Sequence, residues 1–102
     1  MTTTLEIVEF ETVAGAGEDA VRAAADEAGV LIARLPGFLH RRLVRRPEGD
    51  WIDIVEWASR DDAMAAAKVF PSAPEAANFM RFIAKVSRMS HATVQLSSRN
   101  PH

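Results

Sequence analysis

The segment Trp51-Ile52-Asp53-Ile54-Val55-Glu56-Trp57 has the alternation of a β-strand, yet it sends large apolar groups to both sides. Trp51, Val55 and Trp57 point one way, Ile52 and Ile54 the other. A strand with one face on a core and one in water alternates apolar with polar residues. This strand needs cover on both faces. Residues 38–46 share the property, with Leu39 and Leu43 opposed to Phe38 and Val44. Any fold for this chain has to cover both sides of one sheet.

The chain has 102 residues, room for one domain. At 48% hydrophobic and 25% charged it has a globular rather than a disordered composition. A domain this small buries only about two thirds of its unfolded surface, so extra apolar burial against a partner counts heavily. There is no cysteine, which excludes disulfides, thiolate catalysis and Cys-based zinc motifs. Twelve Lys plus Arg stand against fourteen Asp plus Glu, a net charge of −2. That balance calls for neither nucleic acid nor a membrane surface. The start MTTTLEIVEFE has no basic n-region and no apolar h-region, and no stretch approaches membrane-spanning length, so a cytoplasmic location is expected.

Hydrophobic periodicity predicts a strand over residues 5–13, broken by Gly15 and Gly17, and a helix over 18–35 with Val21, Ala24, Ala25, Ala28, Leu31, Ile32 and Leu35 at helical spacing. Gly29 inside that helix marks an expected close approach to the sheet. Pro36-Gly37 ends it, and strands over 38–46 and 51–58 flank a turn at Pro47-Glu48-Gly49-Asp50. Ser59 with Asp62 reads as a capping box for a helix to about residue 69. Ser72 with Glu75 reads as a second, opening a helix through Phe79, Met80 and Ile83 to about residue 87. A last strand is expected over 90–96. The domain then covers 1–97 and a flexible tail 98–102.

The order β-α-β-β-α-β makes an α+β, ferredoxin-like fold with a four-stranded antiparallel sheet. Two right-handed crossovers put both helices on the same face. The opposite face is then bare but apolar, and a second copy packing sheet against sheet covers it. A symmetric homodimer follows. If Arg46 stands opposite Trp51 across the turn, Val44 pairs with Asp53, Arg42 with Val55, Arg41 with Glu56 and His40 with Trp57. A one-residue bulge in the turn changes that list without changing the alternation in each strand.

Several motifs fail on context. Gly15-Ala16-Gly17-Glu18-Asp19-Ala20 fits a loose dinucleotide pattern, but Glu18 and Asp19 set negative charge where a pyrophosphate would sit. RRLVRR at 41–46 is split by the strand between two faces, so it is not one basic patch. His40, His91 and His102 lack metal-ligand spacing, so neither a metal nor a cofactor is expected. No serine or threonine stands in a nucleophile elbow. The strongest polar cluster is His40, Asp53 and Trp57 with Arg42 alongside. An indole wall beside an imidazole suits a flat aromatic ligand from which a proton is taken. The plain alternative makes Trp57 core, His40 structural and Asp53 the partner of Arg42.

Leu35-Pro36-Gly37-Phe38-Leu39 before an arginine-bearing strand, then Trp51 to Ser59 followed by Asp62-Ala63, resembles the antibiotic biosynthesis monooxygenase-like domains of the dimeric α+β barrel group. The resemblance implies a ferredoxin-like subunit, two sheets packed into a barrel, and a pocket between each sheet and its helices. Members of that group oxygenate polycyclic phenols or anthrones without metal or flavin, degrade haem, or act on quinols. Trp57 matches the group's pocket tryptophan. Asp53 stands where anthrone-oxygenating members carry an amide, and their pocket tyrosine falls near Ala63 or Met64 in a chain without tyrosine. The strand-one asparagine and helix Trp and His of haem-degrading members are missing as well; the second helix offers only Asn78.

The function expected from these readings is a monooxygenase-like enzyme, without cofactor, acting on a small aromatic or polyketide-like molecule. His40 and Asp53 are the candidate catalytic residues, with His40 the base because imidazole titrates near neutral pH. Trp57, Arg42, Met64, Asn78, Phe79 and Met80 are the candidate substrate contacts. The alternative is a non-catalytic small-molecule-binding or dimerisation module on the same fold.

Overall fold

The computed structural model describes residues 2–100; His102, at the end of the expected tail, lies outside them. Along the chain run β1 (Thr4–Thr12), α1 (Glu18–Arg34), β2 (Phe38–Arg45), β3 (Trp51–Trp57), α2 (Arg60–Val69), α3 (Ala77–Phe82) and β4 (Ile83–Thr93). Two short 3-10 turns, Phe70–Ser72 and Pro74–Ala76, lead from α2 into α3. The strands form one antiparallel sheet in the order β2-β3-β1-β4. This is the expected ferredoxin-like arrangement.

Helix α1 has Glu18 and Asp19 in its first turn and Arg34 in its last, both favourable to the helix dipole. Its buried stripe of Val21, Ala24, Ala25, Ala28, Leu31 and Ile32 lies on the sheet. A Cβ at Gly29 would meet Arg41 Nη1 at 3.2 Å, so the close approach signalled by this glycine is to the Arg41 guanidinium. Ser59 caps α2 as its sequence indicates, its hydroxyl oxygen accepting from the Asp62 amide at 3.1 Å.

Two expectations are corrected. The long second helix over 72–87 is a six-residue α3, and Ser72 does not cap it; its hydroxyl donates to the Val69 carbonyl instead. Residues 83–89, which continue the helical spacing of Phe79 and Met80, open β4, seven residues ahead of the expected strand start. The reason is tertiary. β1 needs a partner along its second edge, and β4 supplies it from Thr12↔Ile83 to Thr4↔Thr93, with two bulges absorbing the mismatch.

The hairpin register is also one residue away from the expected one. Arg45, not Arg46, stands opposite Trp51, followed by Leu43↔Asp53, Arg42↔Ile54, Arg41↔Val55 and His40↔Glu56. Gly49 takes φ +111°, a conformation glycine adopts without steric cost. Its turn closes on Arg46, whose amide donates to the Asp50 carbonyl at 2.8 Å while the Gly49 amide donates to the Arg46 carbonyl at 2.9 Å. The loop is thus Pro47-Glu48-Gly49, three residues rather than four. A slip of one residue turns every side chain of β2 to the other face.

All helices lie on one face. Two clusters fill the space beneath them: Phe10 and Trp51 with α1 and Phe79, and Val55 and Trp57 with Ile32, Ala63 and Ala66. The opposite face carries Leu5, Ile7, Ile52 and Ile54, half-buried, with no helix over them. No helix among the described residues is long and apolar enough to cross a membrane.

Candidate active site

The register decides which polar groups meet. Residues directly opposite in an antiparallel pair share a face, so the helix side of the sheet holds Glu6 from β1, Arg41 from β2, Asp53 and Trp57 from β3, and His91 from β4. Above them lies a cavity of about 200 Å³. Its floor includes Glu6, Val8, Asp53, Val55 and Trp57; Ile32 of α1 and Leu35 just after it, Ala66 and Ala67 of α2, and Phe79 and Met80 of α3 roof it, with Val86 and Met89 of β4 at the side. The lining is apolar apart from Glu6 and Asp53.

Asp53 is fully engaged. Arg41 grips it with a two-pronged contact, Nε to Oδ1 at 2.9 Å and Nη2 to Oδ2 at 2.7 Å, and both side chains are largely buried. The third arm of Arg41, Nη1, donates to the Ala25 carbonyl of α1 at 2.7 Å. This fork geometry favours arginine over lysine. It ties helix to sheet and leaves Asp53 a wall of the cavity rather than a free proton acceptor.

Glu6 differs. The residue is 9% exposed, and its carboxylate lies between β3 and β4, with Oε2 at 3.4 Å from His91 Nε2. That contact lacks hydrogen-bond geometry: Glu6 Oε2, His91 Nε2 and Trp57 Nε1 are all buried without a hydrogen-bond partner. Burial raises the Glu6 pKa above the ordinary carboxylate range, the attraction of His91 works against this, and the negative charge of Asp53 adds to it. Buried polar atoms without partners are rare in folded proteins and call for a functional account.

The folded state therefore binds the Glu6 proton more tightly than the unfolded chain. Its contribution to stability is complete below the ordinary carboxylate value and is lost as pH rises through the raised one. Glu6→Gln, which carries no charge at any pH, is expected to raise the melting temperature by a few degrees near pH 8 and to leave it unchanged near pH 4. Thermal melts of both proteins across that range test the sign.

Four of the expected site residues, Asp53, Trp57, Phe79 and Met80, line the cavity. Four do not. His40 and Arg42 are exposed, opposite Glu56 and Ile54, on the face away from the helices. The one-residue register shift is the reason, and it exchanges Arg42 for Arg41 as the partner of Asp53. Met64 is 42% exposed on the outer side of α2. Asn78 is exposed on α3, where its amide donates to Glu27 at 3.0 Å and its carbonyl accepts from Arg81. Glu6 and His91 were not among the expected site residues. The signal for Glu6 is its period-two spacing with Thr4, Val8 and Phe10, which puts a carboxylate on the core face of β1. Among the described residues no three His, Asp or Glu side chains gather as a metal-ligating group.

The sequence matches no family model and no curated protein. Solved structures do match. SnoaB, a cofactor-independent oxygenase from Streptomyces nogalater, superposes with a TM-score of 0.69 at 19% identity over 100% of both chains. A Bordetella bronchiseptica protein assigned to the antibiotic biosynthesis monooxygenases gives 0.73 at 20% identity, covering 94% of this chain and 100% of that one. The heme-degrader MhuD from Mycobacterium tuberculosis, solved with two hemes in its active site, gives 0.68 at 23% identity over 94% and 99%. At these identities the likeness is one of fold. The chain has the ferredoxin-like fold of these antibiotic biosynthesis monooxygenase-like structures.

Proposed function

We propose that the protein is a monooxygenase-like enzyme, working without metal or flavin, on a small aromatic or polyketide-like molecule held between sheet and helices. The observation that carries this reading is the cavity itself: an apolar space of about 200 Å³ with the Glu6 carboxylate, 3.4 Å from His91, in its wall. Oxygenation without a cofactor asks three things of a protein, namely a shaped apolar site, removal of a proton from the substrate, and stabilisation of the anion beside dioxygen. The substrate anion supplies the electrons. The fold shared with SnoaB, a cofactor-independent oxygenase, supports the same class of reaction.

Oxygen uptake by the purified protein with an anthrone as substrate tests the reading. Consumption above the uncatalysed rate, with a quinone product, is the expected result. Saturable binding of the anthrone with no uptake assigns the chain instead as a binding module. His40→Ala is expected to leave both uptake and melting temperature unchanged, because His40 lies across the sheet from the cavity. A tenfold loss of uptake in that variant restores His40 as the base.

The uncovered face supports a homodimer formed sheet to sheet. Leu5, Ile7, Ile52 and Ile54 form a contiguous apolar surface there with the exposed Val44 beside it, of the kind that marks a protein interface. Sedimentation at micromolar concentration is expected to give the mass of two chains. The mass of one chain overturns the dimer and leaves the cavity reading in place.

A further inference from the structure

We propose that Met80 and Met89 are modification sites at the mouth of the cavity. Hydrogen peroxide converts their thioethers to sulfoxides, which weakens the binding of an apolar molecule inside, and reduction restores it. This goes beyond the proposed function, because it concerns entry into the cavity whether or not a reaction follows there.

The position of β4 in the sheet sets the mouth. β4 is the outer strand beside β1, and among the described residues no strand lies beyond it. On its helix side Met89 stands opposite Val8 and Val86 opposite Phe10, and all four line the cavity. These β4 side chains close the cavity at the edge of the sheet. Of the lining residues, only Pro71, Met80, Val86 and Met89 are exposed. Met80 comes from the last turn of α3, just before the chain enters β4. It is 39% exposed and Met89 48%. Each thioether chain thus borders the apolar space on one side and water on the other.

A thioether is apolar and polarizable, and suits an irregular rim. It is also open to two-electron oxidation. A sulfur lone pair attacks one peroxide oxygen, the O–O bond breaks and an S–O bond forms. The displaced hydroxide takes the proton left on the transferred oxygen and departs as water. Sulfur loses two electrons and the peroxide gains them. The sulfoxide oxygen is a strong acceptor, hydrated while the mouth is empty. An apolar molecule seated there strips that water and offers no donor in return. The chain has no cysteine and four methionines. Met1 lies outside the described residues, and Met64, 42% exposed, does not line the cavity. Met64 is therefore an internal control, as open to peroxide as Met80 and Met89 but without bearing on the cavity.

The probe is N-phenyl-1-naphthylamine, a neutral arene whose fluorescence rises in apolar surroundings. Cleavage after Arg60, Lys68, Arg81 and Arg88 puts Met64, Met80 and Met89 in separate tryptic peptides, so mass spectrometry follows each one. Met80 and Met89 are expected to oxidise at rates close to that of Met64. Saturating probe is expected to slow the first two about fivefold and leave Met64 unchanged, since susceptibility follows exposure. Oxidation of both is expected to weaken probe binding about tenfold, and methionine sulfoxide reductases to restore it. The Met80→Leu, Met89→Leu double variant keeps an apolar rim of similar volume. It is expected to bind the probe as the wild type does and to keep that affinity after peroxide, whereas Met64→Leu is expected to lose it. Undiminished binding with both sulfoxides formed overturns the proposal, as does a loss that persists in the double variant. Equal protection of Met64 by the probe, or no binding to the untreated protein, also overturns it. So does disappearance of the cooperative thermal melt on oxidation, since affinity is then lost by unfolding.

Discussion

Arg41→Ala is expected to cost about 3–5 kcal/mol of folding stability, the usual consequence of removing one partner from a buried ion pair. A domain of this size has about 5–15 kcal/mol in total, so the loss is a large share of it. The loss has a specific origin. Asp53 keeps its charge inside an apolar site with neither of its two hydrogen bonds, and the Ala25 carbonyl loses its 2.7 Å donor as well. Arg41→Lys is expected to recover only part of it, since an ammonium cannot reproduce the two-pronged contact while also reaching α1. Replacing both partners by apolar groups, as in Arg41→Met with Asp53→Leu, is expected to restore most of the stability, because the penalty is the unpaired charge and not the absence of the pair. Urea unfolding of the three variants beside the wild type separates these cases. Equal midpoints for the wild type and Arg41→Ala would mean that the pair is open to water.

Trp57→Ala carries the second large effect. Trp57 is 1% exposed and packs edge-on against Phe38 at 6.0 Å between ring centroids, among Ile32, Val55, Ala63 and Ala66. Removing an indole from such a site costs about 3–5 kcal/mol through lost apolar transfer and the cavity left behind. The neighbours cannot collapse into the gap easily. Two of them are alanines on a helix whose position is fixed by the Ser59 cap, and the others sit on opposite sides of the space. Because the gap joins a cavity already present, the variant is expected to bind larger apolar molecules than the wild type does. A panel of polycyclic arenes, read by the thermal shift each produces, tests that change in size preference. Trp57→Phe, which keeps an aromatic ring, is expected to lose less than half as much stability.

His40 shows where the reading of residues stops. Strand β2 was legible from its composition, and so was the alternation that separates Arg41 and Leu43 from His40 and Arg42. Which set meets Trp57 depends on a single residue in the turn. Pro47-Glu48-Gly49-Asp50 is compatible with loops of three or four residues, and only the ladder with β3 selects between them. The choice moved the expected base out of the site and brought Arg41 in. β4 makes the same point from another side: Phe79, Met80 and Ile83 keep helical spacing, yet Ile83 belongs to the strand that completes β1.

From its sequence alone this chain specified the order of its elements, the cap at Ser59, the apolar face of α1, and a sheet with oil on both sides. Those features depend on periodicity and on residues near one another in the chain, and both are written in the order of amino acids. Tertiary structure alone decided the hairpin register, the early start of β4 and the meeting of Glu6, Trp57 and His91. Each of these is a pairing between distant segments, fixed by the demand that every strand amide and carbonyl find a partner. A shift of one residue costs local sequence preference almost nothing, but it reverses which side chains share a face.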